Sequence, residues 1–463
     1  MQKIAVINIV GLTQLLLERG MPLLKRWSEN KNLVPMQPPL PAVTCSSQAC
    51  MLTGSWPSEH GIVGNGWYFH DECEIKFWRQ SNKLVQRTSI WEKAKSIDPL
   101  FRANNLFWWY NMYSSVDVSV TPRPMYTADG RKIPDCYTNP SHLRDDLQNK
   151  LGPFPLFKFW GPLATLESSA WIIAAAKIVE TKYPAALNLV YVPHLDYCLQ
   201  RLDHKDYQID KELRELDKLC FDLIKFYEKR EIKVVIVSEY GITPVKRSLA
   251  INQVLRSKGF IQVREELGYE QLDPGASKAF AVTDHQLAHI YVNDKKYLHA
   301  VYDLLNLQPE IAMVLDDAGK RKYHLNHARA GDFIAVSQPD AWFNYYFWRD
   351  ANKAPDYART VDIHRKPGYD PVELFFDPNK SFLKAQVMWK LMKKKMGFRQ
   401  VLDVIPLQPE LVQGSHGAPP QNLMEYPIII AEGLFKRDVM PMVDVAQVIL
   451  NNIFSDYKTK VTI

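Results

Sequence analysis

Three continuous apolar runs rich in β-branched residues punctuate the chain, at residues 3–10, 188–192 and 233–237. Apolar stretches without polar alternation are what parallel strands covered on both faces require. Helical periodicity fills the intervals between them. Residues 169–182 are predominantly apolar and precede the second run. Residues 209–230 place Leu213, Leu216, Cys220, Leu223, Phe226 and Tyr227 at helical spacing before the third. A helix ahead of each of the last two runs is βαβ logic and predicts an α/β fold around a mostly parallel central sheet. In such sheets ligands gather beyond the carboxyl ends of the strands, so the residues just after each run are the first to inspect.

A different pattern stands at residues 38–65. Pro38-Pro39-Leu40-Pro41 is extended and cannot be helical, whereas the run after Thr44 tolerates a helix. Thr44 is then the expected N-cap, its hydroxyl beside unpaired backbone N–H groups and the positive end of a helix dipole. Such a place suits either a plain cap or an oxygen that attacks or binds phosphate.

Composition narrows the class. The 463 residues are 46% hydrophobic and 23% charged, which excludes a disordered chain, and fit one large α/β domain spanning residues 1–463 with insertions. A net charge of +6 makes no case for a nucleic-acid polymer and does not oppose an anionic substrate. Six cysteines without a C-x-x-C pair read as reduced thiols. The apolar N-terminal run is too short for a secretory signal, and no stretch approaches the roughly 20 apolar residues of a membrane span. The expectation is a cytoplasmic protein with no membrane partner.

The order Thr44, Thr53-Gly54, then Pro57-Ser58-Glu59-His60-Gly61-Ile62-Val63-Gly64-Asn65 resembles the nucleophile segment of type I phosphodiesterases and nucleotide pyrophosphatases in the alkaline phosphatase superfamily. The resemblance runs in weaker form to Gly414-Ser415-His416-Gly417. It implies a three-layer α/β sandwich, Thr44 as the nucleophile on phosphorus, and Asn65 as a ligand of a phosphate oxygen. It also implies divalent metal, most commonly zinc, one or two ions, with manganese or magnesium as alternatives.

The strand ends depart from that pattern. Where the family has Pro-Asp-x-x-Gly-His, this chain has Pro193-His194-Leu195-Asp196-Tyr197-Cys198-Leu199-Gln200, so the ligands fall on Asp196 and Gln200. The family's Asp-His-Gly becomes Glu239-Tyr240-Gly241. The first-strand Asp falls on Val10, and Asn8 is the nearest polar residue on the same strand face. The expected metal ligands are therefore Asp196, Glu239 and His416. Secondary candidates are His285, His364, Asn8, Gln200 and Tyr240. His285 and His289 stand four apart in a segment that would share one face if helical, and His364 lies in a Gly/Pro loop. His194 shares their footing, and His327 reads as structural.

Residues 66–165 read as an aromatic-rich cap inserted over the site, with Trp67-Tyr68-Phe69 and Phe107-Trp108-Trp109-Tyr110; Trp342–Trp348 forms a second aromatic cluster. These rings suit either a packed core or stacking on a base, sugar or ring alcohol. The functional expectation is a metal-dependent hydrolase of phosphate esters, diesters or nucleotide pyrophosphates that passes through a phosphothreonine. The alternatives are a silent homologue or a transferase that binds a phosphorylated small molecule.

Overall fold

The computed structural model describes residues 1–380, 382–398, 400–434 and 437–454. Its main sheet uses strands β1 (Ile4–Ile9), β2 (Asn32–Gln37), β3 (Ala103–Leu106), β4 (Val118–Pro122), β5 (Cys136–Asn139), β6 (Leu187–Val192) and β7 (Lys233–Val237). A second sheet uses β8 (Ala279–Asp284), β9 (Leu287–Val292), β10 (Ile311–Leu315) and β11 (Phe333–Ser337). Two late strands, β12 (Ile428–Ala431) and β13 (Met440–Pro441), return to the first sheet.

The nine strands of the main sheet run β13-β2-β12-β7-β1-β6-β3-β4-β5. The inner five, β7 through β4, are mutually parallel; β12 and β5 run against their neighbours. β1, β6 and β7 are almost wholly buried, which is why their sequences show no alternation. Helices α1 (Thr44–Thr53), α2 (Glu167–Lys182), α3 (His194–Arg201) and α4 (Tyr207–Glu228) frame this sheet. α2 packs on β6 and α4, while α1 packs against the late helix Val445–Ile453, completing a three-layer α/β sandwich. The three apolar runs and both helices of the sequence reading are therefore present, with ends shifted by one or two residues.

The expected cap is corrected by the topology. Residues 103–139, inside the 66–165 segment, form β3, β4 and β5 and extend the main sheet, with Phe107 and Trp108 in its core. The unit that covers the site comes later in the chain. β8, β9, β11 and β10 form an antiparallel sheet in that order, with an apolar core that includes Phe280, Tyr291, Phe343, Tyr345, Phe347 and Trp348. Both aromatic clusters are thus largely packed interior. Trp67, Trp109 and Tyr110 join Leu287, Ile334 and Val336 in a shared apolar layer between the two sheets. Among the described residues no helix is long and apolar enough to cross a membrane.

Candidate active site

Thr44 opens α1, one position inside the expected cap: Val43, at φ −130° and ψ 165°, is the boundary residue. The helix ends at Gly54, whose left-handed φ of +66° suits a residue without a Cβ. The start of α1 lies beyond the carboxyl ends of β1, β6 and β7, where Asn8, Asp196, Glu239 and Tyr240 converge on it. Thr44 Oγ1 is 3.1 Å from Tyr240 Oη, and Tyr240 Oη donates to Asp196 Oδ1 at 3.1 Å.

Asn65 closes the other side of the helix start. Its Oδ1 accepts the Cys45 backbone N–H at 3.0 Å, while its own backbone N–H and Nδ2 donate to the two oxygens of Asp284 at 2.8 and 3.0 Å. A primary amide has two N–H bonds, so one Asn65 donor remains for a ligand oxygen beside the first turn of α1.

The strand-end residues form a second network. Glu239 Oε1 accepts from Asn8 Nδ2 and from Gln48 Nε2, both at 2.5 Å. Its Oε2 is buried and without a hydrogen-bond partner, and the Thr44 hydroxyl lies close enough to act on its ionisation. Burial pushes the Glu239 carboxyl up to about 8 against the help of its amide partners. Asp196 is held by Tyr240, by Gln200 Nε2 at 2.9 Å and by His416 Nε2 at 3.5 Å. His416 Nδ1 faces the Ala42 carbonyl at 2.8 Å; a carbonyl only accepts, so that nitrogen carries a proton.

Four rings stack across the centre. Tyr240 lies on His416 with centroids 3.5 Å apart and planes 5° from parallel, His416 lies 3.7 Å from His285, and His285 lies 3.6 Å from Tyr369. Desolvation holds the His285 imidazole well below its usual pKa, so it stacks as a neutral ring. Its Nδ1 meets Asp284 Oδ1 at 2.9 Å and its Nε2 is buried without a partner. Tyr369 Oη donates to Gln200 Oε1 at 2.9 Å, tying the covering unit to α3.

The 361–374 loop that presents Tyr369 is itself pinned from within. Lys366 Nζ, 1% exposed, lies 2.7 Å from Asp370 and 2.6 Å from Glu373, and Trp160 Nε1 donates to Glu373. A Cβ at Gly368 would stand 2.5 Å from Tyr345 Cβ, so only glycine allows this approach.

Several expected ligands are placed elsewhere. Residues 284–289 are not a helix but the hairpin joining β8 to β9, with Asp284 paired to Leu287 across a two-residue turn. His285, at φ +61°, projects into the site, whereas His289 lies on β9 with both nitrogens used, by the Val63 carbonyl and the Gly331 N–H. His364 lies on the exposed side of the 361–374 loop and takes no part in the cluster. His194 pairs with Glu212 at 2.7 Å, and His327 with Gln86 at 2.8 Å. Asp284, Gln48 and Tyr369 are site residues that sequence reasoning did not single out.

The donor set does not fit a pair of metal ions. Among the described residues no three His, Cys, Asp or Glu gather around one point, so Asp196, Glu239 and His416 do not form one ligand shell. At the position beside Thr44 the donors are an amide, a hydroxyl, a phenol and a single carboxyl, a weak set for zinc. Tyr240 Oη, bonded to both Thr44 and Asp196, bridges the space between the two halves. Asp196 and His416 remain adjacent, but one carboxylate and one imidazole do not make a zinc site.

The geometry can be set beside known proteins. A family model described as type I phosphodiesterase / nucleotide pyrophosphatase matches residues 4–370. A phosphonoacetate hydrolase from Sinorhizobium meliloti 1021, solved with phosphonoformate, superposes with a TM-score of 0.62 at 14% identity, over 98% of this chain and 96% of that one. Human ectonucleotide pyrophosphatase / phosphodiesterase 5 superposes with a TM-score of 0.59 at 15% identity, over 98% and 95%. An inactive form of the murine counterpart, bound to AMP, gives 0.57 at 13% identity over the same shares. At such identities these structures establish the fold. No curated protein matches the chain by sequence.

Proposed function

The chain belongs to the type I phosphodiesterase / nucleotide pyrophosphatase family, whose members hydrolyse phosphorus esters and anhydrides with divalent metal ions, and from that premise we propose a Thr44-centred phosphoryl-transfer enzyme that does not rely on the ion pair. Its substrate class is a phosphate ester, diester or nucleotide pyrophosphate of a small molecule. The AMP and phosphonate complexes of the superposed proteins support that size and charge.

The observation that carries the reading is the placement of Thr44 Oγ1 at the start of α1, between the Tyr240 hydroxyl and the partnerless side of Glu239. Thr44 Oγ1 attacks phosphorus in line as its proton passes to Glu239 Oε2. Backbone N–H groups at the start of α1 and the remaining Asn65 N–H hold the non-bridging oxygens, where the helix dipole favours negative charge. Tyr240 Oη, between the attacking oxygen and Asp196, is placed to steady the charge that develops on Thr44 Oγ1 as its proton is lost, while the leaving oxygen departs from the opposite side of phosphorus. Water completes turnover by releasing the phosphoryl group from Thr44.

Burial favours one further reading. Thr44 is 5% exposed and Asn65 1%, under the covering unit, and a closed, water-poor site suits transfer to an alcohol as well as to water. Product analysis with an added alcohol separates the two, since transfer yields a new phosphate ester. The cytoplasmic placement is supported by six unpaired thiols. The primary test compares the protein with Thr44→Ala on p-nitrophenyl phosphate and bis-p-nitrophenyl phosphate. Release of p-nitrophenol that vanishes in the variant supports the proposal; equal rates in both proteins defeat it.

A further inference from the structure

The segment between Asp377 and Val404 stands apart from everything described so far. The Asp377 N–H donates to the Val404 carbonyl at 2.9 Å, and Lys380 and Lys390 both pair with Asp403, closing the neck of an excursion. Within it lies α5 (Leu383–Lys395), a 13-residue helix. Among the described residues none of 382–401 contributes to the apolar cores of the protein.

Four large apolar side chains, three on this helix and one just after it, face outward. Trp389, Met392 and Met396 stand at i, i+3 and i+7, with Met388 on the flank of the same stripe. Met388 is 70% exposed, Trp389 52%, Met392 48% and Met396 58%, and Phe382 and Phe398 extend the exposed surface at either end. Large apolar groups gathered this way on one helix mark an interaction surface, whereas scattered single ones need no explanation.

Charge decides what covers it. Residues 377–403 hold seven Lys and Arg against two Asp, which is five of the chain's six net positive charges. A second copy docked face to face would bring the same cations together. Lys393 Nζ lies 5.1 Å over the Trp389 ring, so cation and apolar face are presented together. At 13 residues α5 is too short to span a bilayer but suits lying in its interface.

We propose that α5 and its flanking residues are an interfacial anchor that docks the protein on an anionic phospholipid surface. The stripe enters the headgroup boundary while the surrounding lysines meet lipid phosphates. The expectation of no membrane partner rested on the lack of a spanning segment, and an in-plane helix needs none.

The proposal is independent of the chemistry at Thr44, and Thr44→Ala protein serves equally in its test. The full chain is sedimented with vesicles of phosphatidylcholine alone and of phosphatidylcholine with phosphatidylglycerol. Binding is expected to the anionic vesicles only, to weaken about tenfold in high salt, and to be lost in the double variant Trp389→Glu/Met392→Glu. Hydrogen exchange on the unaltered protein gives a readout that no variant can confound: anionic vesicles are expected to slow exchange in residues 382–398. Absence of binding, equal binding to both vesicle types, or no protection of that segment overturns the proposal. So does a dimer in solution that the double variant splits, which would make a second copy the occupant.

Discussion

The helix-start half of the site and the strand-end half obey different chemistry. Thr44 presents its hydroxyl at the start of α1 and Asn65 a spare amide N–H beside it, which is what an anionic group needs. Across from them stand Asn8, Gln200, Glu239 and Tyr240, and the resemblance would put histidines at positions 200 and 240 and an aspartate at Val10. Their polar atoms largely engage one another: Asn8 and Gln48 on Glu239, and Gln200 and Tyr240 on Asp196. A phosphate cradle depends on local backbone geometry and survives changes elsewhere. A metal pair depends on several charged ligands contributed by separate strands.

Removing the nucleophile strikes the comparison hardest. Thr44→Ala is expected to lower turnover on the order of 10⁴-fold with little change in melting temperature, since the hydroxyl gives up one hydrogen bond, to Tyr240. Activity retained in that variant would leave the helix-start half without a catalytic role. Glu239→Gln keeps an oxygen for Asn8 and Gln48 but cannot take a proton, and is expected to cost about 10²–10³-fold.

The same variant is expected to flatten the pH profile. With Glu239 near 8, the unaltered enzyme gains rate as pH rises through that value. Stability runs the other way. The folded carboxyl binds its proton more tightly than the unfolded reference of 4.5, so stability falls as pH climbs from there through about 8. Titrated melting curves for the two proteins check the sign: the slope shrinks in Glu239→Gln.

Asn65→Ala is expected to cost about 10²-fold, because it removes an anion donor and leaves the Cys45 N–H unpaired. A loss confined to KM would show that Asn65 binds the ground state and the transition state equally. The smallest effect belongs to Tyr369→Phe. Deleting one hydrogen bond to Gln200 is expected to cost about 1 kcal/mol of stability, read by denaturant unfolding, while leaving Thr44 chemistry within a few fold.

The legibility of these parts in the sequence follows their locality. Thr44 and Asn65 lie within one short continuous pattern, and β1, β6 and β7 are apolar on both faces, so each announces itself without knowledge of the rest. β3 and β4 do not. Their Ala-Asn-Asn-Leu and Val-Ser-Val-Thr-Pro sequences are polar because Asn104 bonds Asn188 and the Tyr183 carbonyl, and Asn105 takes the Trp108 N–H, deep in the sheet. Polarity that is satisfied by distant partners reads as surface.

Asp284, and the hairpin that sets it beside the candidate His285, was hidden for another reason. A hairpin turn whose first residue is a histidine at positive φ lacks the Gly or Asn that advertises such turns, and its i, i+4 histidines mimic a helix. Tyr369 reaches Gln200 only because a buried Lys366 cluster shapes its loop, a constraint no local pattern carries.

The central claim is that Thr44 forms a covalent bond to phosphorus without the ion pair, and mass spectrometry of acid-quenched protein tests it most directly. The protein is dialysed against EDTA, mixed with bis-p-nitrophenyl phosphate, quenched and digested. The account predicts a phosphoryl-ester adduct on the peptide bearing Thr44, absent in Thr44→Ala and unchanged by the chelator. An adduct that disappears with chelation and returns with zinc or manganese would contradict it, and so would an unmodified Thr44 peptide under turnover.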